Sequence, residues 1–111
     1  MNPKTTTLML TDISFEDLDE LFADLGQLAR LEGILDLNQF LSGVKDPFIL
    51  TAIQLAVDGT EPQIMTRFLK SWMRSLMHEQ EAKYRKVIGG IRSVQSGDNP
   101  VFTKKTLSFI Y

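Results

Sequence analysis

The chain has 111 residues, a net charge of −2 and no cysteine, which fits one domain and excludes a disulfide framework or a thiolate metal site. A composition of 43% apolar and 23% charged residues is typical of a globular protein rather than a disordered one. The most apolar stretch, residues 47–57, is too short for a membrane-spanning helix, which needs about 20 apolar residues. Because a cysteine-free chain fits a reducing compartment, we expect a cytoplasmic location.

Two helices are predicted in the first third of the chain, after a flexible lead-in over residues 1–13. Ser14 is a predicted N-cap, and the apolar residues that follow it recur at helical spacing up to Gly33. That apolar stripe consists of Leu18, Leu21, Phe22, Leu25, Leu28 and Ala29. A short second helix is predicted over residues 35–41 and ends at Ser42 and Gly43.

Three more helices are predicted in the rest of the chain. Asp46 and Pro47 are typical of an N-cap and a first helical residue, and Gly59 ends that helix. Thr60 is the predicted cap of a long fourth helix, with a bend or break at residues 89–90 because two adjacent glycines weaken a helix. Trp72 is expected in its buried stripe. Residues 99–100 (Asn-Pro) begin the last helix.

An internal repeat links these helices. The pattern Ile-x5-Gly-x2-Pro at residues 53–62 recurs at residues 91–100, an offset of 38 positions that extends to Leu69 and Leu107. Each copy predicts a helix, a glycine C-cap, a proline near the next N-terminus and a second helix. We therefore predict an all-α fold, a compact bundle of about five helices in a single domain over residues 14–111, with this hairpin used twice.

Charge is divided between the two halves of the chain. Residues 1–62 hold three basic and 11 acidic residues, whereas residues 63–111 hold nine basic and three acidic residues. Either the halves neutralise each other, or one face meets a partner of opposite charge. Arg67, Lys70 and Arg74 form one basic stripe, so a nucleic-acid binder is an alternative, disfavoured by the acidic pI of about 5.3.

Little in the sequence suggests catalysis. His78 is the only histidine, no HExxH spacing exists, and the glycines at 89–90 lack the Lys-Ser/Thr of a phosphate loop. We expect no enzyme activity, no catalytic residue, no metal site, no cofactor and no small-molecule substrate. A binding role is the prediction that remains.

Several stretches together resemble the flagellar motor stator A subunit (the MotA/PomA family). Residues 28–37 (LARLEGILDL), 46–50 (DPFIL), 54–59 (QLAVDG) and 78–83 (HEQEAK) resemble its large cytoplasmic loop. Residues 87–100 (VIGGIRSVQSGDNP) are similar to the segment after its last membrane helix. The resemblance thus assigns residues 14–83 to the loop and residues 84–111 to that later segment. In the family two membrane helices separate these parts, whereas here residues 82–86 join them directly.

The resemblance implies a role in protein–protein interaction. In the family this loop presents charged residues to the rotor protein FliG, and the family arginine matches Arg30. The family's acidic partner residue matches Asn38, with Asp36 nearby as a possible substitute. The implied partner-binding residues are Arg30, Glu32, Asp36 and Asn38, and other stator subunits are possible further partners.

Two alternatives remain open at this stage. The chain is either a soluble relative or a stator domain without its membrane helices, and in both cases we expect neither ion conduction nor membrane insertion by this polypeptide. A soluble adaptor or regulatory module that binds stator or membrane proteins is the alternative function. Nucleic-acid binding ranks below both.

Overall fold

The computed structural model describes residues 7–110, and all regular structure in that range is helical. The elements are a 3₁₀ turn at Leu10–Asp12, α1 at Phe15–Glu32, a second 3₁₀ turn at Ile34–Leu37, α2 at Asn38–Leu41, α3 at Pro47–Val57, α4 at Pro62–Gln95 and α5 at Pro100–Ile110. The predicted all-α class with about five helices is confirmed. The helices group into two compact units, Met1–Leu69 and Lys70–Tyr111, where the sequence predicted one bundle.

The first unit has a hydrophobic core built from α1, the turn after it, the following loop and α3. Its buried side chains are Ile13, Leu21, Leu25, Leu37, Val44, Ile49, Ile53 and Val57. Burial of each such side chain contributes about 1.5–3 kcal/mol. The flexible lead-in was predicted over residues 1–13. Its last residue, Ile13, belongs to this core, and residues 1–6 lie outside the described residues.

The N-terminus of α3 is fixed by the buried carboxylate of Asp46. Its Oδ1 accepts hydrogen bonds from the backbone N–H groups of Phe48 at 2.8 Å and Ile49 at 2.9 Å. Its Oδ2 accepts a third from the N–H of Leu10 at 2.8 Å. The predicted N-cap is confirmed, and the third bond, 36 residues away in sequence, was not predicted.

The repeated helix–glycine–proline–helix pattern is confirmed at both positions. Gly59 has φ 76° after α3, and Gly97 has φ 70° after α4, a backbone conformation that glycine adopts without strain. Pro62 and Pro100 are the first residues of α4 and α5. The predicted cap at Thr60 is one residue too early, because proline is favoured at the first helical position and α4 begins at Pro62.

Of the bend or break predicted at residues 89–90, the break does not occur, because α4 is a continuous helix of 34 residues. Helix α5 packs beside this turn: the hydroxyls of Ser93 and Thr103 are 2.6 Å apart, and Leu107 lies next to Gly90. Tertiary packing of this kind overrides the low helix propensity of glycine. At Gly90, the space beside Leu107 would also admit a Cβ.

No residue of the second unit is buried among its described side chains. Trp72, expected in a core, is only half-buried, and Leu76 is 42% exposed. The expected core position of Trp72 is therefore wrong, since none of the described side chains between residues 70 and 95 is buried. Across the described residues, no helix combines the length and the apolar character that crossing a membrane requires.

Substitution of Gly90 by alanine should stabilise the α4–α5 hairpin by about 0.5–1 kcal/mol, because alanine favours a helix interior. A Cβ there would lie 3.8 Å from Leu107 Cδ1, an ordinary van der Waals contact. The matched control, Gly97→Ala, should destabilise it by about 1–2 kcal/mol, because φ is 70° there. Amide hydrogen exchange in α4 and α5 measures both, and slower exchange in the Gly97 variant would contradict this account.

Candidate protein-binding surface

The four predicted binding residues lie in one short segment, residues 30–38, where α1 ends and the chain turns. Gly33 ends α1 with φ 99°, and its N–H donates to the carbonyl of Ala29 at 2.9 Å. The N–H of Asp36 then donates to the carbonyl of Gly33 at 3.2 Å and closes the 3₁₀ turn. Leu37 is buried in the core and anchors the segment, whereas its other residues are exposed.

The structure places all four predicted residues at exposed positions. Arg30 lies in the last turn of α1, about 180° around the helix from the buried Leu21. Glu32 is the last residue of α1, about 200° from Arg30, so these two side chains do not share a helix face. Asp36 follows in the 3₁₀ turn, and Asn38 is the first residue of α2. The segment therefore presents them in several directions rather than as one stripe.

These side chains have no hydrogen bond or ion pair with the part of the chain that the structure describes. Arg30 also lies where the negative end of the α1 dipole favours a cation. Exposed charges without an internal partner remain available to a partner protein, where they contribute to orientation and association rate more than to affinity. The arrangement suits recognition of a surface that carries both signs of charge.

Three exposed apolar residues between these charges were missed by the sequence interpretation. Leu31 is 73% exposed, Leu35 67% and Ile34 46%. Apolar side chains inside a polar rim are typical of protein–protein interfaces. One signal could have found them: Leu31 lies about 80° from Leu21 around α1, and Ile34 and Leu35 follow a helix-ending glycine.

No group of three or more metal-ligating side chains converges among the described residues. The second unit has a cleft of about 290 Å³ lined by residues that include Arg92, Ser93, Asp98 and Thr103. Its hydroxyls are hydrogen-bonded within the hairpin, since Ser93 Oγ donates to Asp98 Oδ2 at 2.7 Å. These hydrogen bonds hold the turn after α4 in place, and they do not pair a nucleophile with a base.

Comparison with known proteins gives two matches of one kind. The chain is 34% identical over 50 residues to motility protein A of Borreliella burgdorferi, a match covering 45% of this chain and 19% of the relative. It is 27% identical over 70 residues to motility protein A of Bacillus subtilis, covering 63% of this chain and 26% of the relative. No family model matches the chain, and no solved structure matches it.

The matches thus span about a fifth to a quarter of the length of these relatives. Their identity is modest, but both carry the same name and come from different bacteria. The two matches support a relationship between this chain and motility protein A.

Proposed function

We propose that this chain is a stator-related binding module of bacterial motility, which uses residues 30–38 to bind a charged surface of a FliG-like rotor protein. Its role is binding rather than catalysis or ion conduction. The observation that carries the proposal is the exposed segment itself, which combines Arg30, Glu32 and Asp36 with Leu31 and Leu35. The relationship to motility protein A supports a partner within the motor.

The apolar and the charged residues of the segment should contribute differently to affinity, because binding buries them to different extents. Leu31 and Leu35 would lose water contact and contribute most of the affinity, as central apolar residues of an interface do. Arg30 and the neighbouring carboxylates would form the rim, where each exposed ion pair contributes about 0–1 kcal/mol. Asn38 would add a neutral hydrogen-bonding side chain at the start of α2.

The partner test compares substitutions inside and outside the segment. Leu35→Ala should weaken binding of a FliG-like protein about tenfold, because an interface leucine contributes about 1–2 kcal/mol. Arg30→Ala should weaken it up to about fivefold, with the loss greatest at low salt. The matched controls are Phe15→Ala, an apolar residue 90% exposed at the start of α1, and Arg67→Ala, an exposed arginine of α4. Titration calorimetry at two salt concentrations measures all four variants.

Several outcomes would refute the rotor-binding proposal. Equal affinity for wild type, Leu35→Ala and Arg30→Ala would show that the segment is not the contact surface. Recovery of stator subunits but no rotor protein in a pulldown from motile cells would instead support the adaptor function. Salt-independent binding would contradict the rim assigned to Arg30.

A further inference from the structure

Helix α4 carries a long apolar surface that its own unit leaves uncovered. Within residues 70–95, eight large apolar side chains are between 41% and 73% exposed: Met73, Leu76, Met77, Tyr84, Val87, Ile88, Ile91 and Val94. At 100° per residue they occupy an arc of about 120°, and they extend over about 32 Å of helix. We call this set of eight residues the apolar arc.

Helix α5 packs on the other side of α4. The hydroxyl of Thr103 lies 2.6 Å from that of Ser93, and Leu107 Cδ1 lies 3.8 Å from the position that a Cβ at Gly90 would occupy. Ser93 and Gly90 are both half-buried. Ser93 lies about 160° from the centre of the apolar arc, and Gly90 about 100° from it. Helix α5 therefore lies against a face of α4 that carries small residues, and the large apolar residues of α4 stay exposed. An exposed apolar surface of this size is typical of a site that binds a protein partner or a membrane.

Basic residues flank the apolar arc on both sides. Arg74 and Arg92 lie about 40° beyond one edge, Lys70 lies at that edge, and Lys83 lies about 20° beyond the other. Glu81 is near the first edge, but its carboxylate is paired with Arg85 at 2.6 Å. Residues 70–111 hold eight basic and three acidic residues, a net charge of +5. An anionic occupant is therefore favoured electrostatically.

We propose that the apolar arc of α4 adsorbs to an anionic lipid bilayer, with the helix lying in the plane of the interface. Apolar residues on one face and Lys/Arg at its margins are the features of interfacial helices, because the long basic side chains reach the headgroups while the apolar face enters the acyl boundary. Such adsorption differs from crossing the membrane. This inference goes beyond the proposed rotor contact, which concerns residues 30–38.

Other occupants fit the same residues less well. A second copy joined through the apolar arc would place the basic margins of both copies against each other, and like charges at such margins repel. Nucleic acid would satisfy the charges of Arg74 and Lys83 but would leave eight apolar side chains in water. A lipid surface covers about 32 Å of convex helix without a groove of matching shape.

The test is sedimentation of the 111-residue chain with lipid vesicles. Vesicles of equal parts phosphatidylglycerol and phosphatidylcholine should bind it at least about tenfold more tightly than pure phosphatidylcholine, since each basic residue near an anionic surface contributes about fivefold. The fluorescence of Trp72, the single tryptophan, gives a second readout. Because Trp72 lies about 40° from the edge of the arc, its emission should shift to shorter wavelength on binding.

Matched variants separate the apolar and the charged contributions. Ile91→Ser should lower vesicle binding about tenfold, whereas Ile64→Ser should change it less than about twofold. The two isoleucines belong to the same helix and are 57% and 55% exposed, but Ile64 lies about 180° from Ile91. Lys83→Gln should lower binding about fivefold, and Lys104→Gln on α5 should have a smaller effect. Circular dichroism checks that each variant keeps its helix content.

Four results would overturn the proposal. Two concern the vesicles: the chain binds anionic and neutral vesicles equally, or it sediments with neither. The third is an equal effect of Ile91→Ser and Ile64→Ser on vesicle binding. The fourth is a dimer in analytical ultracentrifugation that Ile91→Ser dissociates, while the chain does not bind vesicles. A duplex DNA that binds wild type and Ile91→Ser equally, in the absence of vesicle binding, would assign the basic residues to nucleic acid instead. Rotor binding, measured with Arg30→Ala and Leu35→Ala, is tested separately and is unaffected by these outcomes.

Discussion

Substitution of Asp46 by alanine should lower the free energy of unfolding of the first unit by about 3 kcal/mol. The carboxylate accepts three backbone hydrogen bonds and is only 5% exposed, so alanine leaves three donors without an acceptor. Loss of an N-cap costs about 0.5–2 kcal/mol, and a buried donor left without a partner costs about 1–3 kcal/mol. Urea unfolding followed by the amide signals of α3 measures the change.

Two controls separate the cap from the long-range bond. Asp46→Asn keeps one oxygen acceptor for Phe48 and Ile49 but offers an amide group to the Leu10 N–H, so we expect a loss of about 1–2 kcal/mol. Ser14→Ala removes an exposed cap with one bond of 3.1 Å and should cost about 0.5–1 kcal/mol. If Asp46→Ala and Ser14→Ala were equally mild, the bond from Asp46 to residue 10 would have no importance for stability.

The features that the sequence predicted correctly are those fixed by a few neighbouring residues. Ser14 and Asp46 cap their helices because each oxygen reaches an N–H two or three positions ahead. Gly59 and Gly97 end theirs because glycine alone adopts a positive φ without strain. Such local rules need no knowledge of the rest of the fold, which is why both hairpins could be predicted.

The features that the sequence did not predict depend on whether residues far apart in the chain contact each other. Gly89 and Gly90 do not interrupt α4, because α5 packs beside them, a contact that helix propensity alone does not contain. Trp72 was expected in a core because periodicity identifies an apolar stripe without saying whether anything covers it. The same ambiguity hid Leu31 and Leu35, since an apolar residue in a predicted helix is assigned to a core by default.

The candidate surface shows the same division. Exposure of Arg30 could be predicted from its position opposite Leu21 on α1, and the structure places it there. The choice of Glu32, Asp36 and Asn38 came from resemblance, and their role in binding stays a prediction. What the structure adds is the exposed leucines among the charges, because only coordinates distinguish a buried leucine such as Leu37 from an exposed one such as Leu35.

Substitution by alanine should therefore have a large effect on stability at one leucine of α1 and almost none at another, ten residues away. Leu21 is 3% exposed, so Leu21→Ala should lower the free energy of unfolding by about 2–5 kcal/mol through lost burial and a cavity. Leu31 is 73% exposed, so Leu31→Ala should change it by less than about 0.5 kcal/mol. Urea unfolding measures both variants, with helix content as a check on the native state.

Partner binding should show the reverse order for the two leucines. The comparison is made in buffer without urea, where both variants are folded. There, Leu31→Ala should weaken binding of a FliG-like protein several-fold, whereas Leu21→Ala should retain the wild-type affinity per folded molecule. This pattern would separate the residues that hold the first unit together from those that it presents to a partner. Equal destabilisation by both substitutions would instead place Leu31 in the folding core and remove it from the proposed surface.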